Sequence, residues 1–170
     1  LGRHGLRLHD PRPELTELEL RRLTTRADEA DGDLDLVPPR LRDLAGDTFE
    51  GEAPGLPRTL ALASRLVDEG FYDHGDTARP GHSLARLEEF LAEPDRVIGF
   101  AEQYAASAGV LSRIGGTPTR VVVGYVLPVA RYRNGAAEVR ADDIEAWIEV
   151  KTVERGWVPI AVTPDRSREP

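Results

Sequence analysis

The chain has no cysteine and no methionine. Without thiols there are no disulfides, no thiolate metal sites and no cysteine nucleophile, and the redox compartment leaves no mark. No apolar run comes near the roughly 18 residues that a membrane-spanning helix needs, and no segment reads as a signal peptide. Basic residues are the scarcer charge: 22 Lys and Arg stand against 30 Asp and Glu, a formal net charge of −8. Neutralising phosphates takes a basic face, so this balance argues against nucleic acid as the main partner. It argues equally against a polybasic grip on anionic lipid. A sequence that opens on Leu1 and lacks methionine is expected to be a domain cut from a longer product, with membrane or targeting information in its missing flanks.

What is present is an ordinary globular composition. The 170 residues are 40% hydrophobic and 31% charged, enough for one domain with a core. The stretch from Arg96 to Pro128 organises the rest. Phe100, Tyr104, Ala108, Leu111 and Ile114 fall on one face of a 3.6-residue period, which predicts a helix with a buried side. A Gly-Gly-Thr-Pro break follows, then Arg120–Leu127, whose valines on both faces predict a strand inside a sheet. The N-terminus of such a helix stabilises an anion through free N–H groups and the helix dipole. The residue placed there is Ala101.

Residues 1–14 read as an extended lead-in. A modest amphipathic helix is expected over Leu15–Ala30, then an acidic linker through Pro39 and a short helix from Arg40 to Leu44 or a little beyond. Arg58–Glu69 reads as a helix ended by Gly70, and Leu84–Ala92 as one capped by Ser83, with a polar turn region over Phe71–Ser83 between them. Beyond the central strand come a turn at Asn134-Gly135 and a short strand over Ala136–Arg140. A half-buried strand follows over Asp142–Val150, then a tip at Arg155-Gly156 and a returning strand Trp157–Val162. Helices followed by an antiparallel sheet define the α+β class, in one domain over 15–165 with a frayed tail at 166–170.

Three ordered segments resemble the transglutaminase-like superfamily, whose fold is related to papain-like cysteine peptidases. Gly99-Phe100-Ala101-Glu102-Gln103-Tyr104-Ala105 resembles its nucleophile motif, and Gly116-Thr117-Pro118-Thr119-Arg120-Val121 its turn into the core strand. Asp143-Ile144-Glu145-Ala146-Trp147-Ile148-Glu149-Val150 resembles the histidine motif, and Trp157 to Pro164 the aspartate motif. Together these cover about residues 80–165, and three motifs in order are far more specific than one. The resemblance implies N-terminal helices on a small antiparallel sheet with a central helix. The closest look is to domains of actinobacterial multi-spanning membrane proteins, where Gly81-His82-Ser83-Leu84 also recurs. That implies a place at the extracytoplasmic face of the plasma membrane, attached through flanking segments.

The family's reaction needs a thiolate, a histidine and a carboxylate acting as a unit. The resemblance puts Ala101, Glu145 and Ala161 at those three positions, so every part is replaced. The expectation is a pseudoenzyme that binds or scaffolds, its cleft beside Ala101 lined by Trp147, Tyr104, Glu145 and Gln103. A protein, a peptide or a cell-wall ligand would be the partner, with no cofactor and no metal. Two other readings stand beside it: acid–base chemistry relocated to Glu145 with Asp142 or Asp143, and a spacer with a filled cleft. Several features also read more simply. Glu145 shares its strand parity with Trp147 and Glu149 and serves equally as a solvated residue. Trp147 and Trp157 read as core or cleft-wall aromatics, Tyr104 as core, and Glu102 and Gln103 as first-turn helix residues. Asp73, His74 and Asp76 are the one close cluster of metal-ligand types, and read as a solvated loop. His4, His9 and His82 are scattered, Ser107 and Ser112 lie mid-helix with no histidine nearby, and Asp28–Asp35 reads as solvated linker.

Overall fold

The computed structural model describes residues 15–26, 36–73, 75, 78–92, 97–127, 131 and 136–167. The lead-in, His4, His9, the acidic stretch Asp28–Asp35, His74, Asp76 and the Asn134-Gly135 turn lie outside the described residues. Among the described residues four helices precede the central one: α1 (Glu17–Leu20), α2 (Pro39–Thr48), α3 (Leu56–Glu69) and α4 (Leu84–Phe90). Pro39 occupies the first turn of α2, and the Ser83 hydroxyl accepts the Arg86 N–H at 3.3 Å to cap α4. The central helix α5 spans Ala101–Ile114. It ends where Gly116 takes φ 85°, a left-handed conformation that favours glycine, with the Thr117 N–H donating to Ser112 O at 2.9 Å.

The main sheet is an antiparallel meander of β3 (Thr119–Tyr125), β4 (Ile144–Thr152) and β5 (Gly156–Ile160), with β4 in the middle. Its inward residues are Ala146, Ile148 and Val150, the parity that the alternation predicts. They pack on α5, and Leu41, Leu62, Leu87, Leu111 and Val162 complete one core. The helix is buried nearly all round, because α2, α3 and α4 cover the side that the sheet leaves.

Several expectations are corrected. Strand β3 is at the edge of the sheet, not inside it, and Val121, Val123 and Tyr125 are exposed. Apolar character on both faces says nothing about whether a neighbouring strand exists. The helix expected from Leu15 is one turn, opened by a capping box in which Glu19 accepts from the Thr16 N–H at 2.8 Å. The chain then leaves it because Thr24 is tied to the distant Glu154 carboxylate, at 3.0 Å from its N–H and 2.5 Å from its hydroxyl. Ala136–Arg140 forms no strand beyond a single bridge residue at Ala136, and Asp142 and Asp143 stand in a 3-10 turn before β4. A second sheet also exists, a parallel pair of β1 (Phe71–Tyr72) and β2 (Ile98–Gly99). Finally, Arg166, at the start of the expected frayed tail, is held as described below, while residues 168–170 lie outside the described residues.

Candidate functional site

The first motif is built into the core. Tyr104 is fully buried, and its hydroxyl lies 3.0 Å from Phe71 N, 2.9 Å from Phe71 O and 2.8 Å from Val97 O. It therefore pins β1 to the segment that runs through β2 into α5. Gln103 is equally buried. Its amide nitrogen donates to Arg79 O at 2.7 Å and Gly81 O at 3.2 Å, while its oxygen accepts the Phe100 N–H at 3.2 Å. Glu102 accepts from the Gly81 N–H at 3.1 Å, so both side chains clamp the loop around residues 79–81 to the first turn of α5. A Cβ at Gly99 would stand 2.5 Å from both Gln103 Oε1 and the Phe90 ring. Each preserved motif residue thus has a structural duty here. Tyr104 and Gln103 do not line a cleft, which corrects that expectation: a side chain with no exposed surface meets no ligand.

Ala101 opens α5 with 8% of its surface exposed. Its methyl group has no nucleophilic electrons and no proton to give. Glu145, one residue into β4, is half-buried and paired with Arg166 at 2.9 Å. The same guanidinium donates to Asp142 O at 2.9 Å and Ile144 O at 3.0 Å, and lies 5.2 Å from the centre of the Tyr72 ring. Burial works against the Arg166 charge, but the bond to Glu145 and the nearby negative groups hold its pKa above the ordinary value. Burial pushes the Tyr72 phenol up, against the pull of Arg166. An arginine from beyond the third motif thus neutralises Glu145. Nothing in the spacing of Arg166 signals this.

Asp143 is 7% exposed and accepts from the Arg140 N–H at 2.7 Å and from Arg131 at 2.5 Å. The Arg140 amide, and after it Arg131, outweigh burial and hold its carboxyl below the ordinary range. A depressed carboxyl contributes stability above its unfolded pKa, near 4, and loses it as pH falls through the folded value. Thermal melts of the native chain and Asp143→Asn should therefore differ at neutral pH and converge in acid. An unchanged gap at low pH would refute this.

Two adjoining surface cavities meet at this strand. One, of about 420 Å³, is lined by Glu145, Trp147, Ala161 and Thr163 to Arg166. The other, of about 970 Å³, runs from Leu15 and Leu20 past Leu60, Ala63 and Val67 of α3 to Trp147, Pro159 and Ala161. Both include Glu145 and Ala161; neither includes Ala101. The groove thus lies along β4, β5 and α3, not beside the helix start as expected. Trp157 is elsewhere, half-buried under the Arg120 guanidinium at 4.4 Å, and Arg120 also pairs with Glu149 at 2.5 Å. Asp73 is buried and organises its own loop by accepting from the N–H groups of Gly75, at 3.0 Å, and Ala78. Ser107 and Ser112 are enclosed in the core, and His82 is exposed.

A central helix packed on a small antiparallel meander, with further helices covering its other side, is the transglutaminase-like and papain-like fold. The chain belongs to the transglutaminase-like superfamily, whose core matches residues 42–162. It is 30% identical over 133 residues to a protein-glutamine gamma-glutamyltransferase of Pseudomonas aeruginosa, and 28% identical over 134 residues to YebA of Bacillus subtilis. Those segments are 75% and 76% of this chain but only 19% and 18% of the two relatives, so the chain spans under a fifth of their length. Among solved structures, the periplasmic domain of TgpA from Pseudomonas aeruginosa is similar at a TM-score of 0.58 and 28% identity, over 81% of this chain and 48% of that one. A Cytophaga hutchinsonii protein at 22% identity and a TM-score of 0.53, over 78% of this chain and 43% of that one, shares the fold.

Proposed function

We propose that this chain is a transglutaminase-like domain emptied of its cysteine chemistry, acting as a binding or scaffolding module of a cell-envelope membrane protein. One observation carries the reading: alanine opens α5 where a thiolate would act, while the glutamate at the histidine position is held by Arg166. An intact triad works as a unit, so even one missing member removes most of the rate. The likeness to a periplasmic domain supports an extracytoplasmic place, and among the described residues no helix is long and apolar enough to cross a membrane. Acid–base chemistry by Glu145 with Asp142 or Asp143 is not favoured. Asp143 is spent on Arg131 and the Arg140 amide, and Glu145 on Arg166.

The groove beside Trp147 is the binding surface, apolar along its length with Glu145, Asp68 and Arg155 at its margins. Extended peptides and cell-wall fragments suit such a surface. The chain has two tryptophans, so Trp157→Phe leaves Trp147 as the sole indole emitter. Titration with glutamine-containing peptides and with peptidoglycan fragments should then give a saturable shift in its emission. A flat response to both would assign the domain to the spacer class instead.

A further inference from the structure

We propose that the free edge of β3 pairs with the same edge of a second copy, antiparallel about a twofold axis at Val123, to form a continuous six-stranded sheet. The register fixes which groups face outward. The Val126 N–H donates to Asp143 O at 2.8 Å and the Lys151 N–H donates to Pro118 O at 2.9 Å. Both bonds join residues in register with the pairing of Thr119 with Val150 and Tyr125 with Ile144. Hydrogen-bonded pairs alternate along an antiparallel ladder, so the even-numbered residues of β3 bond to β4. The N–H and C=O groups of Val121, Val123 and Tyr125 therefore point away from the sheet, and among the described residues no strand pairs with them.

The same residues are the exposed ones. Val121, Val123 and Tyr125 are 45%, 62% and 51% exposed, and Ile144, opposite Tyr125 on the same face, 50%. Together they make an apolar strip along an open strand edge, the combination that natural sheets suppress with charge or proline. The opposite edge is suppressed. By the same alternation the outward positions of β5 are Trp157, Pro159 and Ala161, and Pro159 in the middle offers no N–H. Head-to-tail growth of β3 onto β5 is thereby blocked, and an isologous contact that closes on itself remains.

The sequence of β3 suits self-pairing. About an axis at Val123, Val123 meets its own copy and Val121 meets Tyr125 of the second copy on one face. On the other face Val122 meets Gly124 and Arg120 meets Val126, so no like charges are opposed. Arg120 is in addition already neutralised by Glu149.

Sedimentation velocity of the native chain across a wide concentration range tests this directly, and a reversible monomer–dimer equilibrium is expected. Val123→Lys places two ammonium groups at the axis and should raise the dissociation constant at least about tenfold. The same change at Val153, an exposed residue of the β4–β5 turn, should leave it unchanged. The absence of cysteine gives a second readout, since Val123→Cys introduces the chain's one thiol. A short bismaleimide should link that variant into dimers and leave Val153→Cys monomeric. A chain that stays monomeric throughout, or a dimer indifferent to Val123→Lys, would overturn the proposal.

Discussion

Gln103→Leu is expected to destabilise the domain by about 3 kcal/mol, although the replacement is nearly isosteric and more apolar. The side chain is completely enclosed and makes three hydrogen bonds, all to backbone groups. Leucine fills the volume but leaves the Phe100 N–H at the helix start without its cap, and Arg79 O and Gly81 O without a donor. Each stranded group costs about 1–3 kcal/mol when water cannot reach it. The two carbonyls are near the surface and recover part of the loss, which places the sum near the middle of the range. For a domain of this size that is roughly 6–12 °C in melting temperature, read by calorimetry. A shift within a degree or two of the native chain would mean that Gln103 is ornamental, and that the survival of the motif has no structural reason.

Gly70→Ala should cost roughly 2–3 kcal/mol, from a single methyl group. Gly70 has φ −74° and ψ 164°, values open to alanine, so the effect is purely steric. A Cβ there would lie 2.4 Å from Leu66 O and 2.6 Å from the Tyr104 hydroxyl. The first is backbone of the last turn of α3 and the second is the pin that joins β1 to β2. Neither yields without breaking the Gly70 N–H to Leu66 O bond or the Tyr104 contacts. Overpacking of this kind carries such penalties. Gly46→Ala is the control, because nothing stands within 4 Å of that position and the residue is in a helix. It should be neutral or slightly stabilising. Equal melting temperatures for the two variants would contradict the account.

These residues show what the sequence makes legible. The central helix and β4 are strongly periodic, so their buried faces can be read directly, and Ser83, Pro39 and Gly70 mark boundaries through known cap and stop chemistry. The family frame is legible in the same way, because its motifs are contiguous. What is not legible depends on contacts made far along the chain. A two-residue parallel pair has no periodicity to detect, and Phe71–Tyr72 passes for a turn. The exposure of Val121 and Val123 goes with β3 having, among the described residues, no strand beyond it, which local composition does not record. Gln103 looks like a first-turn surface residue until the loop around residues 79–81 is folded against it. Arg166 lies two residues past the last motif in a polar tail, yet it reaches Glu145 and Tyr72. The Thr16-Glu17-Leu18-Glu19 capping box is the one missed signal that was present locally.

The candidate site shows the same division. The proposed loss of the catalytic side chains rests on the letters at 101, 145 and 161, where the resemblance places the catalytic positions. The place of the groove is not legible in the letters, since it depends on how α1 and α3 lie against β5. Motif residues next to a catalytic position are easily taken for cleft residues, and here Tyr104 and Gln103 are core.

The central claim is that the frame persists while the chemistry has gone. Its most direct test is incubation of the purified chain with a glutamine-containing peptide and a labelled primary amine, beside a cysteine-dependent enzyme of the family. Mass spectrometry would follow amine incorporation, ammonia release and peptide cleavage. The account predicts no product above buffer at any enzyme concentration or pH. Saturable turnover that scales with the chain and disappears in Glu145→Gln would contradict it, and would place working chemistry on the carboxylate that Arg166 holds.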